Sequence, residues 1–332
     1  MGKGNLCFYF GKKVLIFLIS VLLLSVAVFC LSRLAPGDPL VSYYGEGAEK
    51  MSPAEKTAAR ERLGLTAPIH IQYFRWAKNA LKGDWGISFR YKQGVMEVIG
   101  SRIGNTLLLG GLGFLLTFLG AMGLGLLCAR YEGSLADRLL CKLGTIISSI
   151  PEFWLSLILI LVFSVGLGWL PGSGAYDIGR KGDLLNRVTH LILPLMVVLL
   201  QHLWYYAYLI RSKLLEVLRE DYVRFAYAKG LSKKKILFRH CLPNALPTYI
   251  SLMALSVPHI LGGTYIVETV FSYPGLGALS FESARYHDYN LLMVLCLLSG
   301  ILVILCSTVG RILNEHIDPR LKTETREVGS LW

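Results

Sequence analysis

Residues 211–249 read RSKLLEVLREDYVRFAYAKGLSKKKILFRHCLPNALPTY and form a strongly basic segment between two long apolar runs. The segment holds nine lysines or arginines and three acidic residues. Lysine and arginine beside apolar spans resist translocation, so a short loop this basic is predicted to stay in the cytoplasm. The loop therefore predicts the topology of the remaining chain.

The composition is that of an all-α polytopic membrane protein. Hydrophobic residues make up 54% of the chain and charged residues 17%, with a mean hydropathy of +0.52, more apolar than a soluble core requires. A helix needs about 20 apolar residues to cross the hydrocarbon layer. Six runs have that length or nearly so: Val14–Leu31, Thr106–Cys128, Leu143–Leu167, Leu191–Ile210, Ile250–Val270 and Leu291–Ile312.

Six spans place both termini on one side, and the charge of the short loops indicates that this side is the cytoplasm. The two short inner loops then carry twelve basic residues, and the two short outer loops carry four. The long outer segment Ser32–Asn105 has eleven basic and seven acidic residues. Loops beyond about 60 residues largely escape the rule, so this segment does not change the orientation. We expect a multi-pass protein of the plasma membrane.

Four segments are predicted along the chain. They are an N-terminal transmembrane helix (1–33), an extracytoplasmic helical segment (34–104), a five-helix core (105–313) that contains the basic loop 211–249, and a cytoplasmic tail (314–332). The first span resembles a signal peptide. Its 18-residue apolar run, however, is longer than the apolar region of an ordinary signal peptide, and bulky Val28 and Phe29 precede Cys30 where a cleavage site would have small residues. We interpret it as an uncleaved helix.

The outer segment is predicted to hold two helices. Ser52, Pro53 and Glu55 have the pattern of a capping box with proline in the first turn, so a helix should run to about Leu63 and stop at Gly64. A second helix should follow Pro68 and end at Gly83, with Ile69, Tyr73, Trp76 and Ala80 on one face. This aromatic face is expected either in the membrane interface or packed on the spans.

Several other classes of function are disfavoured. The net charge of +12 lies mainly on the inner face, where topology and anionic lipid explain it without nucleic acid. No phosphate-binding loop G-x-x-x-x-G-K-[ST] occurs, so the chain is not expected to hydrolyse ATP itself. The seven cysteines form no C-x-x-C pair and predict neither a metal site nor a cofactor.

If a membrane protein without a phosphate-binding loop moves a solute, the energy must come from a partner or from an ion gradient. A gradient-driven carrier would usually have carboxylates in mid-span, whereas Glu152 and Glu268 fall near the ends of predicted spans. Gradient-driven secondary transport is kept as the alternative function.

The basic loop itself predicts helix, turn, helix. Asp221 is expected to cap a short helix that ends at Lys229, with Gly230 as its left-handed stop. Ser232 is expected to cap a second helix that runs to about Cys241. In the first helix, Phe225 with Ala228 and Tyr222 with Ala226 form a small, partly apolar face suited to docking into a groove of another protein.

The same loop resembles the E-A-A-x3-G-x9-I-x-L-P signature of ABC importer permeases. Ala226, Gly230, Leu242 and Pro243 match the signature. Three positions depart from it, Arg224, Phe225 and His240, in a manner that fits the dipeptide, oligopeptide and nickel branch and its first-permease subunit.

Further stretches agree with that branch along nearly the whole chain. They are Arg33–Pro39 (RLAPGDP), Leu63–Leu65 (LGL), Gln72–Tyr73 with Trp76, Gly83–Phe89 (GDWGISF), Pro151–Trp154 (PEFW), Leu170–Gly172 (LPG), Glu268–Gly277 (ETVFSYPGLG), His287–Tyr289 (HDY) and Asp318–Arg320 (DPR). Their order along the chain is more specific than any one of them.

The resemblance implies a permease subunit that pairs with a second permease, two cytoplasmic ABC ATPases and an external substrate-binding protein. The helix Tyr222–Lys229 would be the coupling helix that the ATPases move. The residues implied in ATPase coupling are Tyr222, Arg224, Phe225, Ala226, Ala228, Lys229, Gly230, Leu242 and Pro243.

Candidate pathway residues are His202, His259 and Glu268, because ionisable groups at membrane depth are site hypotheses by default. For each histidine, the alternative is a neutral ring hydrogen-bonded between helices. His259 and Glu268 are nine residues apart on one helix and should face nearly opposite ways, so they are not expected to form a metal pair.

Two further interpretations concern the spans and their turns. The triplet Gly172–Gly174 (GSG) suggests a hydrolase with His190 or His202 as base, although it has the features of an outer turn. The cluster Trp204, Tyr205, Tyr206 and Tyr208 fits an aromatic belt or a pathway lining. The cargo stays open between peptides and nickel or metal chelates.

Overall fold

The computed structural model describes residues 3–35 and 39–317. Across these residues helices dominate and no β-strand forms; one isolated bridge pairs Ile87 with Gly94. The predicted all-α class is confirmed. Positions 36–38 of the Arg33–Pro39 stretch, and residues 318–332 with the Asp318–Arg320 motif, lie outside the described residues.

The helices have the following bounds. They are α1 (Lys3–Leu34), α2 (Pro39–Tyr44), α3 (Gly47–Lys50), α4 (Pro53–Arg62), α5 (Ile69–Ala80), α6 (Val95–Arg130), α7 (Leu135–Ser148), α8 (Glu152–Leu159), α9 (Leu184–Leu218), α10 (Asp221–Ala228), α11 (Lys233–Ile236), α12 (Leu242–Val270), α13 (Leu276–Arg285) and α14 (Tyr289–Ile317). Two π-helical segments, Ile160–Gly166 and Leu237–Cys241, follow α8 and α11.

Membrane-spanning helices match the predicted apolar runs. Within the described residues, five helices are long and apolar enough to cross a membrane, and a bent pair makes six if it is one span. The five extend beyond the predicted runs at one or both ends, because their polar end residues continue the helix past the apolar stretch. The prediction of a polytopic helical membrane protein is confirmed, with five spans, or six if the bent pair is one span.

The third predicted span is not a straight helix. The run Leu143–Leu167 was expected to be continuous, but α7 and the helix that begins at Glu152 meet at an angle of 97°. Pro151 lies at this break. A proline cannot donate an amide hydrogen bond, and it disfavours helical backbone in the preceding residue, so the chain turns here.

The chain divides into two compact units. The first unit comprises residues up to Thr106 together with Pro274–Leu305, and the second comprises Leu107–Tyr273 together with residues from Cys306 onward. In the first unit, the buried core contains Phe29 and residues from the start of α6 and α14. The ring of Phe29 contacts Tyr73 and Trp76 at centroid distances of 5.4 and 5.7 Å. The aromatic face of α5 therefore packs on α1, the second of the two expected placements.

The helix α4 forms as its sequence predicts. The Ser52 side chain accepts from the Glu55 amide, while the Glu55 carboxylate accepts from the Ser52 amide at 2.7 Å, which completes the capping box. These bonds with Ser52 lower the pKa of Glu55. Gly64 follows the helix with φ of +70°. The stop predicted at this residue is confirmed.

Two of the sequence motifs meet in the first unit. Asp288, from the HDY motif, is fully buried and accepts hydrogen bonds from the Ser88 hydroxyl and the Arg90 amide. Its other oxygen accepts from the Leu291 amide in the first turn of α14, at 3.3 Å. One carboxylate thus fixes the loop before α6 to the start of the last span.

We expect the change Asp288→Ala to destabilise the first unit by roughly 2–3 kcal/mol, because three donors lose their acceptor and two of them, on Ser88 and Leu291, belong to buried residues. Hydrogen exchange at the Arg90 and Leu291 amides should quicken, and thermal unfolding of the purified protein in detergent should begin at a lower temperature. Glu61→Ala on the exposed face of α4 is the control. Equal exchange rates in the two variants would contradict this assignment.

In the second unit, α6 and α9 approach closely. A β-carbon on Gly125 would lie 2.7 Å from Ile210 Cγ2 and 3.1 Å from the Ala207 carbonyl oxygen. Small residues at such positions allow helix backbones to approach in membranes, where apolar burial gives little driving force between helices. The core of this unit continues from α6 and α9 to α10 and α12, and includes Val223 and Ala226.

Candidate functional site: the basic loop and a cavity in the second unit

The basic loop 211–249 contains a short helix with a well-formed C-terminal stop. After α10, the Gly230 amide donates to the Tyr227 carbonyl at 2.9 Å and the Leu231 amide donates to the Ala226 carbonyl at 3.3 Å. These two bonds, with Gly230 at φ of +78°, form a Schellman motif. The predicted left-handed stop is confirmed. The predicted cap by Asp221 is wrong: Glu220 occupies the cap position, and the Asp221 side chain pairs with Arg224 at 3.3 Å.

The exposed face of α10 differs from the predicted one. Val223 and Ala226 are buried in the core of the second unit, whereas Tyr222 and Phe225 are 42% and 61% exposed. The prediction that Ala226 belongs to the docking face is therefore corrected, because this side chain packs on its own chain. The Lys229 ammonium lies 4.4 Å from the centre of the Phe225 ring. The outward surface is aromatic and cationic, and Arg224 and Ala228 are also exposed on it.

The return from the loop to the membrane is helical. Ser232 caps α11 by accepting from the Lys235 amide, as predicted, but the second helix does not end near Cys241. It passes through the π-helical segment into α12, where Leu242 is the first residue and Pro243 lies in the first turn. Because Pro243 has no amide hydrogen, the preceding turn can widen without losing a further bond. The loop is thus connected to α12 by continuous helix.

The start of the loop is fixed by a buried ion pair. Arg211 near the end of α9 donates two hydrogen bonds to Asp137 of α7, at 2.8 and 2.7 Å. The Asp137 side chain is only 3% exposed, and it also accepts from the Gly133 amide. This bidentate pair connects two helices at the end of α9 that leads into α10. No sequence pattern indicated it, because the partners are 74 positions apart.

Two cysteines lie beside this ion pair. The ligand atoms of Cys128, Asp137 and Cys141 all lie within 4.8 Å of one another. Both Asp137 oxygens are already engaged by Arg211, and one of them also accepts weakly from Cys141. The cluster is therefore explained as the Asp137–Arg211 ion pair with two cysteine thiols beside it.

A cavity of about 700 Å³ lies where the bend between α7 and α8 faces α9 and α12. The chemistry-bearing residues of its lining are Glu152, Gln201, His202, Tyr205, Tyr206 and His259. Both candidate histidines thus reach one space. His202 Nδ1 lies 2.9 Å from the Val198 carbonyl of its own helix, and the ring is also hydrogen-bonded to the backbone of His259 on α12. Two members of the aromatic cluster, Tyr205 and Tyr206, line this cavity, whereas Trp204 does not.

Glu152 is the functional candidate that sequence reasoning missed. It lies at a helix end, as predicted, because α8 begins at Glu152, but this end is the break inside the bent pair and forms part of the cavity wall. The signal available in the sequence was a proline directly before an acidic residue within an apolar run. Glu268, by contrast, is fully buried in α12 and is not part of the cavity lining, as its helical distance from His259 predicts.

The Gly172–Gly174 turn is held by a histidine that acts on the backbone. His190 Nδ1 lies 2.9 Å from the Ser173 carbonyl oxygen, and Nε2 lies 3.3 Å from Asp177. Bonds from Asn186 and His190 lower the pKa of Asp177. The imidazole contacts the backbone carbonyl of Ser173. It therefore stabilises the turn, and the arrangement is not that of a nucleophile with its general base.

Comparison with known proteins gives the same family along most of the chain. Residues 121–323 match the family described as the binding-protein-dependent transport system inner membrane component. The chain is 35% identical to the oligopeptide transport system permease protein AppB of Bacillus subtilis, over 95% of this chain and 99% of that protein. It is 37% identical to the di/tripeptide transport system permease protein DppB of Pseudomonas aeruginosa, over 90% and 94%.

Two further similarities extend this comparison. The glutathione transport system permease protein GsiC of Salmonella paratyphi A is 34% identical, over 95% of this chain and 98% of that protein. The inward-facing MetNI methionine ABC transporter has a similar fold, with a TM-score of 0.55 and 19% identity over 67% of this chain and 97% of that chain.

The family match covers more than half of the chain, and the relatives named above are aligned over nearly their full length as permease proteins. This chain therefore belongs to the binding-protein-dependent ABC importer permeases, as a multi-pass membrane subunit that is not itself the ATPase.

Proposed function

We propose that this chain and a second homologous permease form the translocation pathway of an ATP-driven importer of peptides. The observation that carries the proposal is the near full-length similarity to permeases named for oligopeptides, di- and tripeptides and glutathione. An external substrate-binding protein would deliver the cargo. The cavity beside Glu152 would be this chain's part of the pathway.

Two cytoplasmic ABC ATPases would drive the cycle through α10. The exposed Tyr222, Phe225 and Lys229 would dock in a groove of one ATPase, and the buried Val223 and Ala226 would transmit its movement to the helices of the second unit. A helix that packs on the second unit with one side and binds the ATPase with the other can act as a rigid lever between inward-open and outward-open states. Loop 211–249 would then be cytoplasmic, together with both termini, and near anionic lipid.

Nickel or metal chelates are the second candidate cargo, because His202 and His259 both face the cavity. Imidazole is a common ligand for nickel. Gradient-driven transport gains no support, since the family match is to ATP-driven importers.

A reconstituted complex distinguishes these cargoes. Proteoliposomes containing both permeases and both ATPases should accumulate labelled Ala-Ala-Ala from the cognate binding protein only when ATP is present. Ni(II)-histidine and a disaccharide are offered in parallel. Absence of ATP-dependent peptide uptake would overturn the peptide assignment, and uptake of the nickel complex alone would favour the second candidate. Uptake by this chain without any ATPase would overturn the importer assignment.

A further inference from the structure

The cavity in the second unit contains a carboxylate that lacks a partner. Among the described residues, no hydrogen bond reaches Glu152 Oε1, although this atom has almost no solvent exposure. Glu152 is the one acidic residue of the described cavity lining, which contains no lysine or arginine. A buried carboxylate oxygen without a donor costs free energy, so a ligand that supplies donors would be bound favourably here.

This oxygen lies beside the His202 ring at a place where a glycine leaves space. Glu152 Oε1 and His202 Cε1 both lie 2.9 Å from the position that a Gly263 β-carbon would occupy. The carboxylate and the imidazole are therefore neighbours across a space left open by a glycine. The His202 ring is hydrogen-bonded to the Val198 carbonyl, 2.9 Å from Nδ1, and to the backbone of His259, so it is held in place beside the carboxylate.

Among the described residues, none of the donors in the lining reaches Glu152 Oε1. The Gln201 amide nitrogen, for example, donates to the Ile150 carbonyl at 2.7 Å. Acceptors without donors suit a small cation that carries several N–H groups. An ammonium group has three donors and a compact charge, and it fits this description.

We propose that Glu152, beside His202, binds the α-ammonium group of a peptide as it passes through the cavity. This inference rests on the proposed function, because it assigns a role in peptide transport to the same space. Tyr205, Tyr206 and Ile266 form the aromatic and apolar part of the lining and would contact peptide side chains with little selectivity. The free N-terminus, common to all unmodified peptides, would be the shared recognition element.

Zero-length cross-linking tests the contact directly. The assembled complex is incubated with Ala-Ala-Ala and a membrane-permeant carbodiimide, which joins a carboxyl group to a neighbouring amine with loss of water. Mass spectrometry should find the peptide joined to Glu152. The complex with Glu152→Gln, or with N-acetyl-Ala-Ala-Ala, should give no such product. Absence of the adduct in the unmodified complex would overturn the proposal.

Transport separates this inference from the proposed function. We expect Glu152→Gln to lower the rate of Ala-Ala-Ala uptake by about tenfold or more, as expected when a charge-assisted hydrogen bond is lost. Glu152→Asp should recover part of the uptake, because it retains the charge. Glu49→Gln, the same change on an exposed helix, is the control. If the unmodified complex imports no peptide, the proposed function fails; if it does and Glu152→Gln transports equally well, only this inference fails.

Discussion

A complex with Gly230→Val is expected to assemble but to lose peptide uptake and the ATP hydrolysis coupled to it. Gly230 has φ of +78°, and its amide donates a hydrogen bond to the Tyr227 carbonyl that helps to end α10. A side chain in the left-handed region costs about 1–2 kcal/mol, and β-branching makes the position still less favourable. The exit of α10 should therefore change direction, and its exposed aromatic residues should no longer meet the ATPase.

Two variants make this result specific to backbone conformation. Asparagine enters the left-handed region more readily than other residues with a side chain, so Gly230→Asn should retain most of the activity. Gly182→Val places the same side chain in an exposed loop where a β-carbon meets nothing within 4 Å, and it should behave as the unmodified protein. Measurements are ATP hydrolysis and Ala-Ala-Ala uptake in proteoliposomes. Wild-type uptake with Gly230→Val would count against the role of this helix as a lever.

Asp137→Ala is expected to destabilise the protein by about 3–5 kcal/mol, because it leaves the Arg211 guanidinium without its buried partner. The pair is bidentate, and both side chains are mostly buried, so solvent screens it little. Thermal unfolding of the detergent-purified protein measures the loss. The double variant Asp137→Ala with Arg211→Ala should lose much less than the sum of the two single changes.

An additive double variant would show that the two groups do not stabilise each other. Glu132→Ala is the matched control, since Glu132 pairs with Arg219 at 3.4 Å on the surface and such exposed pairs contribute little. We expect a change of less than about 1 kcal/mol for this control. If Asp137→Ala and Glu132→Ala destabilised the protein equally, burial would not be the reason for the large effect expected at Asp137.

Local signals in the sequence were sufficient for most helix ends. The Ser52 and Glu55 box, the Gly64 and Gly230 stops and the Ser232 cap all involve residues within a few positions of one another. Such bonds form from short-range geometry, so a pattern of residue types predicts them. The error at Asp221 was also local, because its side chain could pair with Arg224 and therefore did not cap the helix.

Long-range features had no comparable signal. The pairing of Ser88 with Asp288 and of Asp137 with Arg211 joins residues 200 and 74 positions apart. Which side of α10 is buried depends on the helices that it packs against. The residue pattern of this eight-residue helix does not indicate that side. Glu152 became a cavity residue only because the helix bends at the preceding proline.

The amino-acid sequence by itself determined the membrane class, the number of apolar runs, the position of the basic loop and the order of the family motifs, because all of these depend on composition and short spacing. The tertiary structure alone decided which side chains share a space. It brought Glu152, His202 and His259 to one cavity and turned Ala226 inward. The physical reason is that helix packing depends on contacts between distant segments, and the energy of each contact depends on shape and burial that appear only after the helices meet.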